Sequence, residues 1–162
     1  MHPDAASQSP LIPDNRVGAP PGVVLDTNAT LDWLVFRDAG MAALSSAIGA
    51  GTLRWLACAR MRDELERTLH YPALARWKPD CERTLTTFDG HASLCATPEP
   101  IGHGPLLCTD PDDQVFIDLA MAQQATWLVT HDRALLRLSR AAARRGLRIV
   151  RPRDWAPDTA AP

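Results

Sequence analysis

The chain has 162 residues, a length that fits one domain able to bury a core of its own. Apolar residues make up 46% and charged residues 22%, which excludes wholesale disorder, and the longest apolar runs fall far short of the roughly 20 residues a bilayer span needs. The 17 basic and 19 acidic side chains leave a formal charge of -2, so the chain lacks the strong positive charge of a dedicated nucleic-acid binder and its charge has to be read locally.

In chain order, residues 1–21 come first. Pro3, Pro10, Pro13, Pro20 and Pro21 stand there among small and polar residues, without the apolar segment of a signal peptide, and the stretch reads as a flexible tail. Val23 to Leu25, Leu53 to Ala57, Trp127 to Thr130 and Leu147 to Val150 are short apolar runs, the pattern of strands buried on both faces. Helix-period segments lie between them: Thr30 to Ala50, Ala59 to His70, Asp80 to Cys95, Pro111 to Gln124 and Asp132 to Arg145. In the third, Leu85, Phe88, Ala92 and Cys95 recur at helical spacing. Strands alternating with helices predict a three-layer α/β/α domain around a mainly parallel sheet, over residues 22–155. Gly146 suits the position just past the last helix. Pro72, Pro79 and the Pro98 to Pro105 stretch read as loops, and residues 156–162 as a frayed end.

Cys58, Cys81, Cys95 and Cys108 show no C-x-x-C spacing and no suitably placed histidines, so neither a zinc site nor a redox motif is expected. Four free thiols in a cytoplasmic protein without a membrane anchor is the expectation, with a disulfide pair as the alternative.

The acids carry the chemistry. Asp26 and Asp132 each follow directly on a buried strand, at the carboxyl ends where open parallel sheets form their binding crevices. Either one also suits a plain helix cap. Successive helix residues turn by about 100°, which sets Glu64 on the edge of the stripe marked by Met61, Leu65, Thr68 and Leu69, while Asp63 and Glu66 point away. Its bland alternative is an ion pair with Arg67. Asp110, Pro111, Asp112 and Asp113 open a helix that is apolar on nearly every side. Asp110 as N-cap with Asp113 in the first turn is a capping arrangement in itself. Asp118, in the middle of that helix, reads as an arginine partner or a solvent-facing residue. A cluster of such acids repels itself unless a hard cation such as Mg2+ or Mn2+ neutralises it.

Four segments then look familiar in order and spacing: VVLDTN (Val23 to Asn28), RDELERTL around Glu64, DPDDQVFIDLA (Asp110 to Ala120) and LVTHD (Leu128 to Asp132). Together they resemble the motifs of PIN domains, nearest to the VapC-type toxin components of bacterial toxin-antitoxin pairs, over about Gly22 to Trp155. The resemblance implies a metal-dependent endoribonuclease that attacks the phosphodiester with activated water and leaves 5′-phosphate and 3′-hydroxyl ends. It implies Asp26, Glu64, Asp113 and Asp132 as the catalytic and metal-binding acids, with Asn28 and Thr130 orienting them. Asp113 is preferred to Asp110 and Asp112 because the family's acid precedes a small helix residue, here Ala120, by seven positions. It also implies a small antitoxin partner and a homodimer. The sequence departs from the pattern at His131, where glycine is usual. A larger side chain there either touches substrate or constrains the turn.

Arg133, Arg137, Arg140 and Arg144 fall within about 60° on a continuous helix, a basic stripe that could meet RNA phosphates or an acidic antitoxin segment or stay solvated. Trp33, Trp55, Trp77, Trp127 and Trp155 could stack on unpaired bases, though most read as core. One enzymatic rival starts from Asp26-Thr27-Asn28-Ala29-Thr30, which approaches the D-x-D-x-T motif of haloacid-dehalogenase-like phosphatases but has Asn28 in place of the second acid. The other rival is a catalytically inactive RNA- or protein-binding module.

Overall fold

A computed structural model of the chain describes residues 18–158. The expected tail over residues 1–21 and the frayed end over 156–162 therefore fall largely outside the described residues.

Five strands form one sheet: β1 (Gly22–Leu25), β2 (Arg54–Cys58), β3 (Ala92–Cys95), β4 (Trp127–Val129) and β5 (Arg148–Val150). Their order is β3-β2-β1-β4-β5, and every pairing is parallel. The central strands are apolar throughout because both faces are covered: Val23, Val24 and Leu25 of β1 are at most 1% exposed. A β-carbon on Gly22 would stand 2.6 Å from Leu56 Cδ1, so a larger residue there would oblige the Leu56 side chain to shift.

The helices are α1 (Thr27–Leu34), α2 (Ala42–Gly49), α3 (Ala59–Leu69), α4 (Cys81–His91), α5 (Gln114–Ala122), α6 (Arg133–Leu136) and α7 (Ser139–Ala143). From β1 the chain steps to β2 and β3 in one direction, then returns past β1 to β4 and β5. Right-handed crossovers put α1 to α4 on one face and α5 to α7 on the other. The α3 stripe of Met61, Leu65 and Leu69 is buried, each large apolar side chain contributing about 1.5–3 kcal/mol. In α5, Val115 to Ala120 are all buried, as expected for a helix pressed against the centre of a sheet. Trp155 packs on Trp127 with ring centroids 5.8 Å apart and closes the far edge.

Several expected elements are revised. The segment Thr30 to Ala50 is not one helix: α1 stops at Leu34, Arg37 turns into the left-handed region at φ 54°, and Asp38 accepts from Gly40 N–H to start a 3-10 turn over Ala39–Met41. The segment Asp80 to Cys95 ends as a helix at His91, and its last four residues are the edge strand β3, whose register sets Ala92 beside Trp55 and Cys95 beside Cys58. The segment Asp132 to Arg145 divides into α6 and α7 where Leu138 N–H bonds the Leu135 carbonyl three residues back, a 3-10-type turn that interrupts the α pattern. The helix expected from Pro111 begins only at Gln114, and Asp110 caps a turn by accepting from Asp112 N–H at 3.0 Å. All four cysteines are free.

Candidate active site

The direction of strand connection reverses between β1 and β4, and open parallel sheets form a crevice at the carboxyl ends of such a pair. Asp26 leaves β1 at this point. It is 3% exposed, and its Oδ1 accepts from Ala29 N–H at 2.7 Å as the N-cap of α1. Its Oδ2 accepts from the Thr130 hydroxyl, which lies beyond the end of β4. The same hydroxyl oxygen accepts from Asp132 N–H at 2.8 Å. Asp132 in turn caps α6, with Oδ1 accepting from Ala134 N–H at 2.6 Å and Leu135 N–H at 3.3 Å. Capping and clustering are thus one arrangement: caps at neighbouring strand ends aim both carboxylates at one crevice. Among the described residues no hydrogen bond reaches Asp132 Oδ2.

Asp113 stands at the start of α5, without a side-chain capping bond. Glu64 projects from α3, half-buried, with Oε2 3.3 Å from Arg67 Nη2. Asp26, Asn28, Glu64, Asp113 and Asp132 line a single cleft of about 360 Å³, together with Thr27, Thr68, Tyr71 and Phe36. Thr68 lies on the α3 stripe that periodicity marks, whereas nothing in the periodicity singles out Phe36 or Tyr71 as cleft residues.

Charge is crowded in this cleft. Burial raises Asp26 to about 6, opposed by the hydrogen bonds from Thr130 and Ala29. Asp113 is raised to about 7, first by burial and then by the negative charges of Asp132, Asp110 and Asp26. The charge of Asp132 therefore opposes the ionisation of both Asp26 and Asp113 across one space, and a cation there would relieve that opposition. The donors fit a hard divalent ion in kind, since every side-chain donor lining the cleft is an oxygen or an amide and none is sulfur or imidazole. As placed, however, no three or more His, Cys, Asp or Glu side chains among the described residues are grouped closely enough to hold an ion. Asp26 and Asp132 are fixed by their own caps, and Glu64 is turned to Arg67.

A family model described as PIN domain matches residues 22–134. The chain belongs to the PIN-domain family. The fold agrees: one chain of the crystal structure of VapBC2 from Rickettsia felis bound to a DNA fragment from their promoter superposes with a TM-score of 0.53 at 12% identity, covering 79% of this chain and 96% of that one. The PIN-domain endonuclease Utp24 aligns with a TM-score of 0.45 at 14% identity, over 75% of this chain and 79% of its own. No curated protein matches the chain by sequence.

Other expected residues take different places in this PIN domain. His131 Nε2 lies 2.5 Å from Asp32 Oδ2, so this side chain ties the β4–α6 turn to α1 and lines no part of the cleft. Arg133, Arg137, Arg140 and Arg144 are all exposed, but the break between α6 and α7 removes the continuous helix on which they would form one stripe. Asp118 is neither an arginine partner nor solvent-facing: it is 5% exposed and accepts from Ile101 N–H at 3.2 Å and Gln114 Nε2 at 2.9 Å. Gln114 also bonds Cys108 N–H and the Leu106 carbonyl, so this pair holds the loop before α5 in place. Haloacid-dehalogenase-like phosphatases often use a lysine to steady the phosphoryl group, and the chain's single lysine, Lys78, lines a different cavity from Asp26. Trp55, Trp127 and Trp155 are core residues, whereas Trp77 stays 47% exposed.

Proposed function

We propose that this PIN domain is an Mg2+- or Mn2+-dependent endoribonuclease that cuts single-stranded RNA, and that it serves as the toxin of a toxin-antitoxin pair. The observation that carries this reading is the convergence of Asp26, Glu64, Asp113 and Asp132 on one oxygen-lined cleft at the ends of β1 and β4, where burial and neighbouring negative charge hold Asp113 and Asp26 above the usual carboxylate range. Family membership supports the nuclease class, because PIN domains are generally nucleases. Asp26, Asp113, Asp132 and Glu64 are the residues that would hold the ion. When bound, a divalent ion supplies an activated water and charge neutralisation at the phosphate.

The chain's own groups do the rest. Thr130 fixes Asp26, and the Asp132 amide fixes Thr130, so two carboxylates keep their aim without help from substrate. Asp113, which makes no capping bond, and Glu64, on a long half-exposed side chain, are the freest to turn toward a water in line with the scissile bond. Asn28 lines the cleft one residue inside α1 and can donate to a phosphate oxygen. The family likeness implies 5′-phosphate and 3′-hydroxyl product ends. A small antitoxin that covers the cleft and a homodimeric toxin complete the proposal.

Cleavage of single-stranded RNA by the purified protein, with Mg2+ or Mn2+ and again with EDTA, is the test. Metal-dependent cutting that is lost on Asp26→Asn is expected. RNA binding without cutting would leave only an inactive binding module, and release of phosphate from a small ester would leave a phosphatase.

A further inference from the structure

The acid cleft has a neighbour. A second cavity, of about 730 Å³, is lined by Trp33, Arg37, Trp77, Lys78 and Arg83 among others. The same two chain segments wall both spaces. Along the first, Leu31 and Phe36 face the acids while Arg37 faces the second cavity. Along the other, Tyr71 and Leu74 face the acids while Trp77 and Lys78 face the second cavity. Where the segments meet, the Phe36 and Trp77 rings lie with centroids 4.7 Å apart. The two cavities are therefore consecutive, with an aromatic pair at the junction.

The second cavity carries cations that the acid cleft lacks. Asp38 and Asp80 also line the second cavity, but each is engaged as a cap, accepting from Gly40 N–H at 2.7 Å and Arg83 N–H at 2.9 Å. Among the described residues Arg37, Lys78 and Arg83 take part in no ion pair. Arg37 and Lys78 both hold left-handed backbone, at φ 54° and 44°, a conformation that side-chain-bearing residues adopt at a cost. An acidic cleft repels a polyanion everywhere except at a bound ion, so a nuclease built on it needs cations elsewhere along the strand. Arg133, Arg137, Arg140 and Arg144 line neither cavity.

Resting on the ribonuclease reading, we infer that the second cavity binds the stretch of single-stranded RNA flanking the scissile phosphate, with a base stacked at Trp77 and backbone phosphates met by Arg37, Lys78 and Arg83. Aromatic stacking is tolerant of base identity, and the cations read charge alone. The subsite therefore sets affinity for a strand and leaves the chemistry to the acids.

The test uses full-length Asp26→Asn protein, which is expected to bind without cutting, and two fluorescently labelled RNAs: a dinucleotide and a mixed-sequence single strand of about 16 nucleotides. Arg37→Gln with Lys78→Gln removes both charges without altering the backbone demand, and Trp77→Ala removes the ring. Each variant is expected to weaken binding of the longer strand by roughly tenfold or more, with dinucleotide binding unchanged. Loss of two phosphate contacts should lower the slope of log Kd against log salt by about 1.4. In the cutting protein the same changes should raise KM and leave kcat alone. Unchanged affinity for the longer strand in variants whose melting temperature is unaltered overturns the inference, including the case in which those variants instead lose a protein partner. If the unsubstituted protein neither binds nor cuts RNA, the ribonuclease reading itself fails, and the two failures are distinguishable.

Discussion

The Thr130 hydroxyl donates to Asp26 Oδ2 across 104 residues of sequence, and the same oxygen accepts the amide of Asp132. One buried hydroxyl thereby sets the direction of two carboxylates. Thr130→Val keeps the shape and removes the donor, leaving a buried carboxylate oxygen and an amide unpaired. Such groups cost about 1–3 kcal/mol each when orphaned. Urea unfolding should show a loss in that range, with RNA cleavage reduced at least tenfold; full activity in the valine variant would mean the hydroxyl orients nothing.

Asp26→Asn should separate stability from function. The buried carboxylate is raised to about 6, so in metal-free solution at neutral pH its ionised form opposes folding, and an amide at that position should leave the melting temperature equal or higher. The increase in melting temperature produced by Mg2+ should shrink in the variant, and cleavage should disappear. Calorimetry with and without EDTA reads both effects.

The pH dependence of the metal-free protein follows in sign from Asp113. A carboxyl whose pKa is higher folded than unfolded takes up a proton on folding between the two values, so its contribution declines as pH rises through that window. For Asp113 the window runs from 3.8 to about 7. The stability of the parent relative to Asp113→Asn should therefore fall as pH is raised across it, and saturating Mg2+ should flatten the difference. A difference that is flat in EDTA, or rises with pH, would contradict the crowding of charge in the cleft.

Asp118→Ala leaves Ile101 N–H and Gln114 Nε2 without their buried acceptor. We expect about 1–3 kcal/mol of destabilisation, with limited proteolysis or hydrogen exchange showing the new mobility between residues 101 and 108 and the sheet strands unaffected. Protection of that loop equal to the parent's would place its anchor elsewhere.

Much of this architecture was legible from residue order. β1 and β4 are continuous apolar runs because both their faces are covered, a pattern that a helix face repeats too slowly to imitate, and β2 and β5 depart from it only at the exposed Arg54 and Arg148. β3 was not legible. It is a short edge strand with Ser93 and Leu94 exposed, and its Ala92 and Cys95 continue the helical spacing begun by Leu85 and Phe88. The break after α1 escaped notice because arginine rather than glycine adopts the left-handed backbone there. The positions of Asp26 and Asp132 followed from strand ends. That Glu64 and Asp113 reach the same cleft depends on helices from opposite faces of the sheet meeting at one edge, which only the strand order decides. The place of Asp118 is not legible because an acid in a helix is ordinarily solvated, and one of its partners, Ile101, belongs to a loop that periodicity does not describe.

The reversal of strand order at β1 has a consequence during synthesis. Asp26 emerges from the ribosome early, but the strand that completes its surroundings, together with Thr130 and Asp132, follows only after most of the domain has been translated. A nascent chain can assemble β1, β2 and β3 as neighbours and still lack one whole side of the crevice. Under the proposed role, the ribosome making this protein is thus shielded by topology from its own product until β4 slides in beside β1.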